Sequence, residues 1–179
     1  MKNKILIDLL PIETERLIID KTTTNDINLI LKMDKQEITQ KFLGGIKNKT
    51  KDERIEFLKK KEEKFKQGIA SSLTVNLKED NSKIAFVGLK IDEEENLAEI
   101  SYIFDEDYTK KGYCKEAILK LLDITFNELK LDKVIADTVE DNLSSRNVLE
   151  RLNFRVVSIK IDNNIKFINY ELKNKEFTV

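Results

Sequence analysis

The stretch YTKKGYCKEA, residues 108–117, has the composition of an anion-binding turn. Gly112 is one of only five glycines in a chain of 179 residues, and lysines surround it at positions 110, 111 and 115. The preceding residues favour a strand and the following ones a helix. The first turn of a helix has backbone N–H groups without intrahelical partners and carries the positive end of the helix dipole. A phosphate or pyrophosphate is the natural ligand of this junction, because glycine lets the backbone approach it closely.

A simpler interpretation of the same stretch stays open, in which Gly112 eases a tight turn and the lysines are solvated. Other phosphate loops fit poorly. The sequence contains neither G-x-x-x-x-G-K-[ST] nor G-x-G-x-x-G. A nucleoside triphosphatase and a dinucleotide oxidoreductase are therefore disfavoured.

The chain has no histidine and a single cysteine, Cys114. This composition excludes histidine bases, catalytic triads that contain histidine, and an internal disulfide. It also removes most zinc chemistry, so we expect no metal. Any acid–base chemistry must fall to carboxylates, tyrosine, serine, lysine or water.

The balance of charge bears on the partners and the location of the protein. There are 32 basic and 33 acidic residues, and the net charge of −1 lacks the basic excess of a nucleic-acid-binding protein. The run KKKEEKFK at 59–66 is interleaved with glutamates and indicates a solvated helix face. The N-terminal apolar run is broken by Asp8 and has no small-residue cleavage site, and no run of about 18 apolar residues occurs. We expect a cytoplasmic protein with neither nucleic acid nor membrane as partner.

The first half of the chain predicts helices followed by strands. RLIID at 16–20 predicts a strand, and DINLILKM and the stretch through ITQKFL predict helices, with a glycine pair at 44–45 ending the second. Thr50 and Glu53 are spaced as a capping box for a third helix that stops at Gly68. SLTVNL, KIAFVGLKI and AEISYIF then predict an antiparallel meander.

The second half predicts a long helix from Gly112 to about Leu129. Its apolar positions recur at helical spacing: Ala117, Ile118, Leu121, Leu122, Thr125 and Leu129. KVIADTV predicts a strand, and a short helix follows from about Asn142 to Asn153. RVVSIKI and IKFINYEL, joined by DNN, predict a hairpin. The whole order predicts a single α/β domain over 1–179, with a mixed, mostly antiparallel sheet of about seven strands flanked by helices.

Three blocks of this sequence match a known pattern. TERLIID is similar to an opening strand usually written T-x-R-L-x-L-R. AEISYIFDEDYTKKGYCKEAI is similar to a-E-I-G-Y-x-L followed by W-G-K-G-Y-A-T-E-A, and DNLSSRNVLERLNF to N-x-x-S-x-x-V-L-E-K-x-G-F. The blocks occur in the same order across residues 14–154. The chain thereby resembles the GNAT acyltransferase superfamily, specifically the branch of bacterial ribosomal-protein N-terminal acetyltransferases, which implies a GNAT-like fold.

The pyrophosphate loop of that superfamily reads Q/R-x-x-G-x-G/A, and the matching residues here are 109–114. Thr109 occupies the Q/R position, and Lys110 stands where the branch often has a second glycine. Both positions act largely through backbone N–H groups, so neither departure excludes acetyl-CoA. Cys114 falls at the small position of the loop, and the resemblance does not imply that it is a nucleophile.

The resemblance implies acetyl-CoA as cosubstrate and direct attack by a primary amine. The pyrophosphate is expected at the N–H groups of 110–115, namely Lys110, Lys111, Gly112, Tyr113, Cys114 and Lys115. The pantetheine arm is expected to pair with the edge of AEISYIF around Ile103 and Phe104, where an N–H could also stabilise the oxyanion. Asn142 matches the family asparagine that contacts this arm, and a plain helix N-cap is the alternative.

Glu99 and Ser145 are the catalytic residues that the resemblance implies. The attacking amine must lose a proton, since an α-amine titrates near ~8 and a lysine near ~10.4. Without histidine, a carboxylate acting through water is the expected base, and Glu99 matches an acidic position common in the branch. Ser145 matches a serine close to the CoA sulfur, and the tyrosine that many members use is Leu149 here. Glu99 as an exposed strand-start residue and Ser145 as an ordinary first-turn serine stay open.

Three functional hypotheses follow. The favoured one is an N-acetyltransferase whose partners are acetyl-CoA and an amine acceptor: a protein N-terminus or a small amine. The second is a catalytically silent acyl-CoA-binding or regulatory module, which the residues at 109 and 149 permit. The third, a nucleic-acid-associated protein, rests on lysine abundance and is opposed by the balanced charge. The sequence does not name the acceptor, and it leaves a homodimer open.

Overall fold

The computed structural model describes residues 1–42, 49–70 and 72–178, and one sheet runs through them. Its strands are β1 (Ile12–Glu13), β2 (Leu17–Lys21), β3 (Leu73–Leu77), β4 (Lys83–Asp92), β5 (Leu97–Phe104), β6 (Lys133–Val139), β7 (Arg155–Asp162) and β8 (Ile165–Lys173). The α-helices are α1 (Lys2–Asp8), α2 (Ile27–Met33), α3 (Glu37–Phe42), α4 (Lys51–Lys66), α5 (Tyr113–Asp123) and α6 (Leu143–Arg151). The strand order across the sheet is β1-β2-β3-β4-β5-β6-β8-β7.

This sheet confirms the predicted mixed, mostly antiparallel α/β architecture. β5 and β6 run parallel, and every other neighbouring pair of these strands is antiparallel. The sheet has eight strands because β1, which the sequence pattern did not reveal, pairs with β2. Two residues are too few to show the alternation of polar and apolar side chains that marks a strand.

The helices and strands that were predicted for the first half lie where the sequence placed them, whereas α1 and β1 were not predicted. Thr50 and Glu53 form the predicted capping box, since each side chain accepts from the other residue's backbone N–H. Gly68, just past α4, has a φ of +81°, as expected for a helix stop. β3, β4 and β5 form the predicted antiparallel meander. The glycine pair at 44–45, predicted to end α3, lies outside the described residues.

The long helix predicted after Gly112 continues through a change of helical type. α5 ends at Asp123, and Ile124–Glu128 form a π-helical turn closed by a hydrogen bond of 2.9 Å from the Leu129 N–H to the Ile124 carbonyl. All six predicted apolar positions of this segment are buried: Ala117, Ile118, Leu121, Leu122, Thr125 and Leu129. The helical spacing was therefore correctly interpreted, because a π-turn keeps the same face against the sheet for one extra residue.

The C-terminal hairpin and its flanks also follow the prediction. Asn163 and Asn164, between β7 and β8, have φ values of +47° and +62°, as a two-residue turn of this kind requires. Asn153 has a φ of +64° and ends α6 in the left-handed conformation.

The N-terminal apolar run forms helix α1, which the sequence pattern did not predict. Leu6 on this helix is fully buried in the core, and the ammonium group of Met1 lies 2.6 Å from the Glu93 carboxylate. In the part of the chain that the structure describes, no helix is long and apolar enough to cross a membrane.

Candidate active site

A wedge-shaped gap opens in the sheet where β5 and β6 separate. The two strands pair only through Leu97–Glu99 and Lys133–Ile135. Beyond that point β5 stays paired with β4 and β6 with β8. Among the described residues, no strand pairs with the β5 edge from Ile100 to Phe104 that faces the gap. An extended ligand can add to an edge of this kind as an extra strand, because its amides pair with the free backbone groups.

A cavity of about 550 Å³ lies at the wide end of the gap. Its walls come from β5, from the loop that leads into α5, from α6 and from α3. The described lining residues are Ile38, Phe42, Tyr102, Ile103, Phe104, Tyr108, Thr109, Lys110, Gly112, Tyr113, Cys114, Lys115, Asn142, Ser144, Ser145, Asn147, Val148 and Arg151.

The cavity brings together nine of the eleven predicted site residues: Ile103, Phe104, Lys110, Gly112, Tyr113, Cys114, Lys115, Asn142 and Ser145. The two that do not line it are Lys111 and Glu99. The carbonyl of Lys111 accepts a hydrogen bond of 3.1 Å from the Arg16 guanidinium, and its ammonium lies 5.1 Å from the centre of the Tyr108 ring. Lys111 therefore belongs to the back of the loop.

The loop that enters α5 has the geometry of an anion site. Gly112 is the N-cap of α5 with a φ of +85°, a left-handed conformation that L side chains rarely adopt. Because helix geometry leaves the first N–H groups without i−4 partners, those of Gly112 to Lys115 are donors on the cavity wall. Lys110 also has a positive φ of +59°.

The Gly112→Val substitution, an obvious probe of close backbone approach, is not a clean one in this structure. A Cβ on Gly112 would lie 3.3 Å from a guanidinium nitrogen of Arg16, and the positive φ strains any side chain. The conformation of residue 112 and the nearby Arg16 guanidinium both favour glycine, whether or not a ligand approaches. Substitution there would disturb the loop itself.

The first turn of α6 holds a hydroxyl pair on the opposite wall. Asn142 caps the helix, since its side-chain oxygen accepts a hydrogen bond of 3.1 Å from the Ser145 N–H. The Ser145 hydroxyl lies 3.0 Å from the Tyr102 hydroxyl, which also lies 3.2 Å from the Ser145 carbonyl oxygen. Desolvation raises the pKa of Tyr102 above its ordinary range, so the phenol stays protonated and can donate.

Glu99 lies at the narrow end of the gap and is the last residue of β5 that pairs with β6. Its side chain is 40% exposed, and one oxygen lies 3.6 Å from the Lys90 ammonium. Since side chains alternate along a strand, Glu99 faces the side of the sheet opposite to Tyr102. The pKa of Asp137, on β6, is raised by desolvation and then by the negative charge of Glu99. The two carboxyl groups are therefore close enough to interact electrostatically.

Cys114 is a neutral thiol on the cavity wall. Burial raises its pKa to about 12, so the thiolate that a nucleophilic cysteine needs is not formed near neutral pH. Within the described residues, no group of three or more histidine, cysteine, aspartate or glutamate side chains is arranged to hold a metal ion.

Sequence reasoning missed two residues of the site. Tyr102 occupies the tyrosine of the E-I-G-Y pattern, and its position two residues from Ile100 and Phe104 places it on their buried face. Arg16 lies in the T-x-R-L block, and the sequence pattern alone suggests no role for it. Its guanidinium contacts the loop from outside the cavity. The alternation along β5 could have revealed Tyr102, whereas the contact of Arg16 joins residues far apart in sequence.

The comparison with protein families decides the identity of this fold. A model described as an acetyltransferase (GNAT) domain matches residues 16–155, which is most of the chain. The chain belongs to the GNAT acetyltransferase family.

Individual GNAT proteins resemble the chain to different degrees. A Bacillus licheniformis protein, the uncharacterized N-acetyltransferase p20, is 32% identical over 90 residues, which cover 50% of this chain and 51% of that protein. The chain thus spans about half the length of this curated relative.

Two solved GNAT structures share the fold at low identity. A ribosomal alpha-N-protein acetyltransferase in complex with coenzyme A has a TM-score of 0.79 and 15% identity, covering 93% of this chain and 98% of that one. Spermidine N-acetyltransferase from Vibrio cholerae, in complex with CoA and spermine, has a TM-score of 0.78 and 16% identity, covering 91% and 98%. These identities support the GNAT fold and leave the acceptor undecided.

Proposed function

We propose that this protein transfers the acetyl group of acetyl-CoA to a primary amine. The observation that carries the proposal is the gap between β5 and β6, which ends at the N–H groups of the Gly112 loop. The gap suits an extended arm that pairs with a strand edge, and the loop suits a pyrophosphate. Coenzyme A contains both parts in that order.

The cofactor would lie with its pyrophosphate at the N–H groups of residues 110–115 and its pantetheine arm along Ile103 and Phe104. The Asn142 side chain uses its oxygen for the helix cap, so its NH₂ group is the part that would contact the arm. The thioester would then lie close to Ser145 and point toward the narrow end of the gap. A β5 backbone N–H at that edge would stabilise the developing oxyanion.

Glu99 and Ser145 would act from the two faces of the sheet. The amine would approach on the Glu99 face, and the Glu99 carboxylate would take its proton through a water molecule. The amine nitrogen then forms a bond to the acetyl carbon, and the carbon–sulfur bond breaks. The electron pair leaves with sulfur as the CoA thiolate.

The hydroxyl pair would stabilise the leaving thiolate by hydrogen bonding. The Ser145 hydroxyl donates toward the sulfur while the Tyr102 phenol, 3.0 Å away, supports the serine oxygen. A CoA thiol titrates near ~8.5 if it resembles free cysteine. The pKa of Tyr102 is raised, so the phenol is a poor proton donor to such a thiolate. Proton uptake by sulfur would therefore come from solvent.

The acceptor class is the finer part of the proposal. The two structural relatives act on a protein N-terminus and on spermidine, as their names state. An amine near the Glu99 face would meet two carboxylates, Glu99 and Asp137, which favour a cationic acceptor by charge. This supports a primary amine in general and does not select a peptide over a polyamine.

A catalytically silent CoA-binding module is the second candidate. Leu149, at the position where many members of the superfamily use a tyrosine, is fully buried in the core and has no hydroxyl to offer. The side chain of Thr109, at the Q/R position, donates a hydrogen bond of 2.8 Å to the Glu106 carbonyl within the loop itself. Such a module would bind CoA and release no thiol.

Calorimetric titration with acetyl-CoA and free CoA tests the cofactor, and thiol release with added amines tests the chemistry. A peptide with a free α-amine and spermidine are the two acceptors to compare. We expect micromolar binding of both CoA forms, and thiol release with at least one acceptor. Binding without thiol release across a wider amine panel would favour the silent module. No binding at all would overturn both candidates.

A further inference from the structure

Arg16 contacts the loop that leads into α5 from outside the cavity. It lies just before β2, and its guanidinium binds the Glu116 carboxylate in the first turn of α5, with Nε and Nη2 both 2.7 Å from one carboxylate oxygen. The Arg16 backbone N–H and the Thr14 hydroxyl bind the other oxygen of Glu116, at 2.9 and 2.6 Å. The side chain of Arg16 also stacks on Tyr113, with 4.5 Å from its central carbon to the ring centre.

The contact that matters for ligand binding is the one to the loop backbone. An Nη1 hydrogen of Arg16 is donated to the carbonyl oxygen of Lys111 at 3.1 Å. In a trans peptide, the C=O of one residue and the N–H of the next point in opposite directions. Holding the Lys111 carbonyl toward Arg16 therefore turns the Gly112 N–H away from Arg16. Gly112 lines the cavity, whereas Arg16 is not part of its described lining.

The carboxylate of Glu116 makes this arrangement rigid. Desolvation raises the pKa of Glu116, but hydrogen bonds from Thr14 and from the backbone and side chain of Arg16 outweigh it and hold the pKa below its ordinary value. The carboxylate is thus ionised and 18% exposed, and it fixes the guanidinium in a planar, two-pronged geometry. Lysine could supply the charge but not the fork that reaches Glu116 and Lys111 together.

We propose that Arg16 is a positioning residue for CoA: it aims the Gly112 N–H into the cavity by holding the carbonyl of the same peptide. This inference rests on the proposed function, since it requires the pyrophosphate to bind at the loop. It assigns a task to the T-x-R-L block, which contributes Thr14 and Arg16. A Cβ at residue 112 would lie 3.3 Å from this guanidinium, so a side chain there would press on the residue that holds the loop.

The test compares Arg16→Met and Arg16→Lys with Arg155→Met, a control that removes an arginine of the distant strand β7, 72% exposed and 3.3 Å from Glu176. CoA affinity is measured by calorimetry, and KM for acetyl-CoA and kcat are measured separately with an amine that turns over. Loss of one charge-assisted hydrogen bond predicts roughly tenfold weaker CoA binding in Arg16→Met. We expect kcat at saturating acetyl-CoA to stay within about twofold, because the reacting groups lie elsewhere.

Each of the following results would support or overturn the proposed role of Arg16. A tenfold loss in Arg16→Met, a comparable loss in Arg16→Lys and no change in Arg155→Met would support the proposal, provided that circular dichroism shows folded variants. Wild-type affinity in Arg16→Lys would overturn it, because the ion pair would then suffice without the carbonyl contact. Equal losses in Arg16→Met and Arg155→Met would also overturn it by indicating a general charge effect. If the wild type binds no CoA, the proposed function fails first, and that result is distinct from a variant effect.

Discussion

The two ends of β5 differ in how firmly their side chains are held. At the Phe104 end, the next residue, Asp105, is 1% exposed and accepts hydrogen bonds of 2.5 Å from Lys32 and 2.6 Å from Gln36. Tyr102 is bonded to Ser145 across the cavity. At the other end, Glu99 is 40% exposed and has one ion pair, 3.6 Å from an ammonium that is itself 84% exposed.

This difference indicates that the two ends of β5 have different functions. The end that would hold the cofactor is preorganised by contacts from α2, from Gln36 just before α3 and from α6, so binding there requires little reordering. At the end that would meet the acceptor, the Glu99 side chain is partly exposed to solvent and is held by a single ion pair. We therefore expect substitutions at the firmly held end to affect stability, or turnover only modestly, and substitution of Glu99 at the other end to affect turnover most.

The largest effect is expected for Glu99→Gln. If Glu99 is the base, kcat should fall by about 10²- to 10⁴-fold, because glutamine cannot accept the proton of the amine. CoA affinity and stability should stay unchanged, since the side chain does not line the cavity. Steady-state kinetics and calorimetry check both halves.

The matched control for Glu99→Gln is Glu95→Gln, at an exposed position in the turn before β5. It removes the same charge close by, and its kcat should equal that of the wild type. A Glu99→Gln enzyme with wild-type kcat would assign Glu99 to the exposed strand-start interpretation.

The next effect is on stability, at the firmly held end. Asp105→Asn turns one acceptor oxygen into a donor that faces Lys32 or Gln36, so we expect a loss of about 2 kcal/mol in the free energy of unfolding. Asp107→Asn is the matched control. It loses a contact to the same Lys32 ammonium, but its side chain is 70% exposed, so about 0.5 kcal/mol or less is expected. Urea unfolding measures both, and equal losses would contradict the comparison.

The same substitution has a pH signature. Desolvation raises the pKa of Asp105, but the hydrogen bonds from Lys32, Gln36 and the Asp107 N–H prevail, and the net shift is downward. A carboxylate with a lowered folded pKa stabilises the protein above its unfolded pKa of about 3.9 and loses that contribution as pH falls through the folded pKa. Stability of the wild type should thus fall below about pH 4 more steeply than that of Asp105→Asn.

Local patterns predicted the fold and most of the cavity wall. A few neighbouring residues determine each of three features: the capping box of Thr50, the left-handed Asn153 and the glycine junction at Gly112. Arg16 and Tyr102 were missed because their partners, Lys111 and Ser145, are remote in sequence and meet only through the order of the strands. The face of the sheet to which a β5 side chain points also depends on how the strand is placed in the sheet. In this structure Glu99 points to one face, and Ser145 lies beside Tyr102 on the other.

A smaller effect is expected for Ser145→Ala. Loss of one hydrogen bond to the leaving sulfur should lower kcat about tenfold with little change in CoA affinity. Ser144→Ala is the control, because its side chain also lies in the first turn of α6 and lines the cavity. Thiol release under saturating acetyl-CoA measures the two. Equal kcat values would leave Ser145 as an ordinary first-turn serine.

The smallest effect is expected for Tyr102→Phe, and it tests whether the hydroxyl pair works by hydrogen bonding. The phenol supports Ser145 and does not itself reach the sulfur in our proposal, so its loss should lower kcat by only about threefold, less than one full hydrogen bond to a charged group. Desolvation and the resulting upward shift in the pKa of Tyr102 keep the phenol neutral over the working pH range. The alkaline side of the pH–rate profile should therefore have the same shape in the variant as in the wild type. If Tyr102 were the proton donor, kcat would fall as far as in Ser145→Ala or further, and an alkaline limb present in the wild type would disappear in Tyr102→Phe. The firmly held end of β5 would then supply the proton itself, and turnover would no longer depend mainly on Glu99 at the other end.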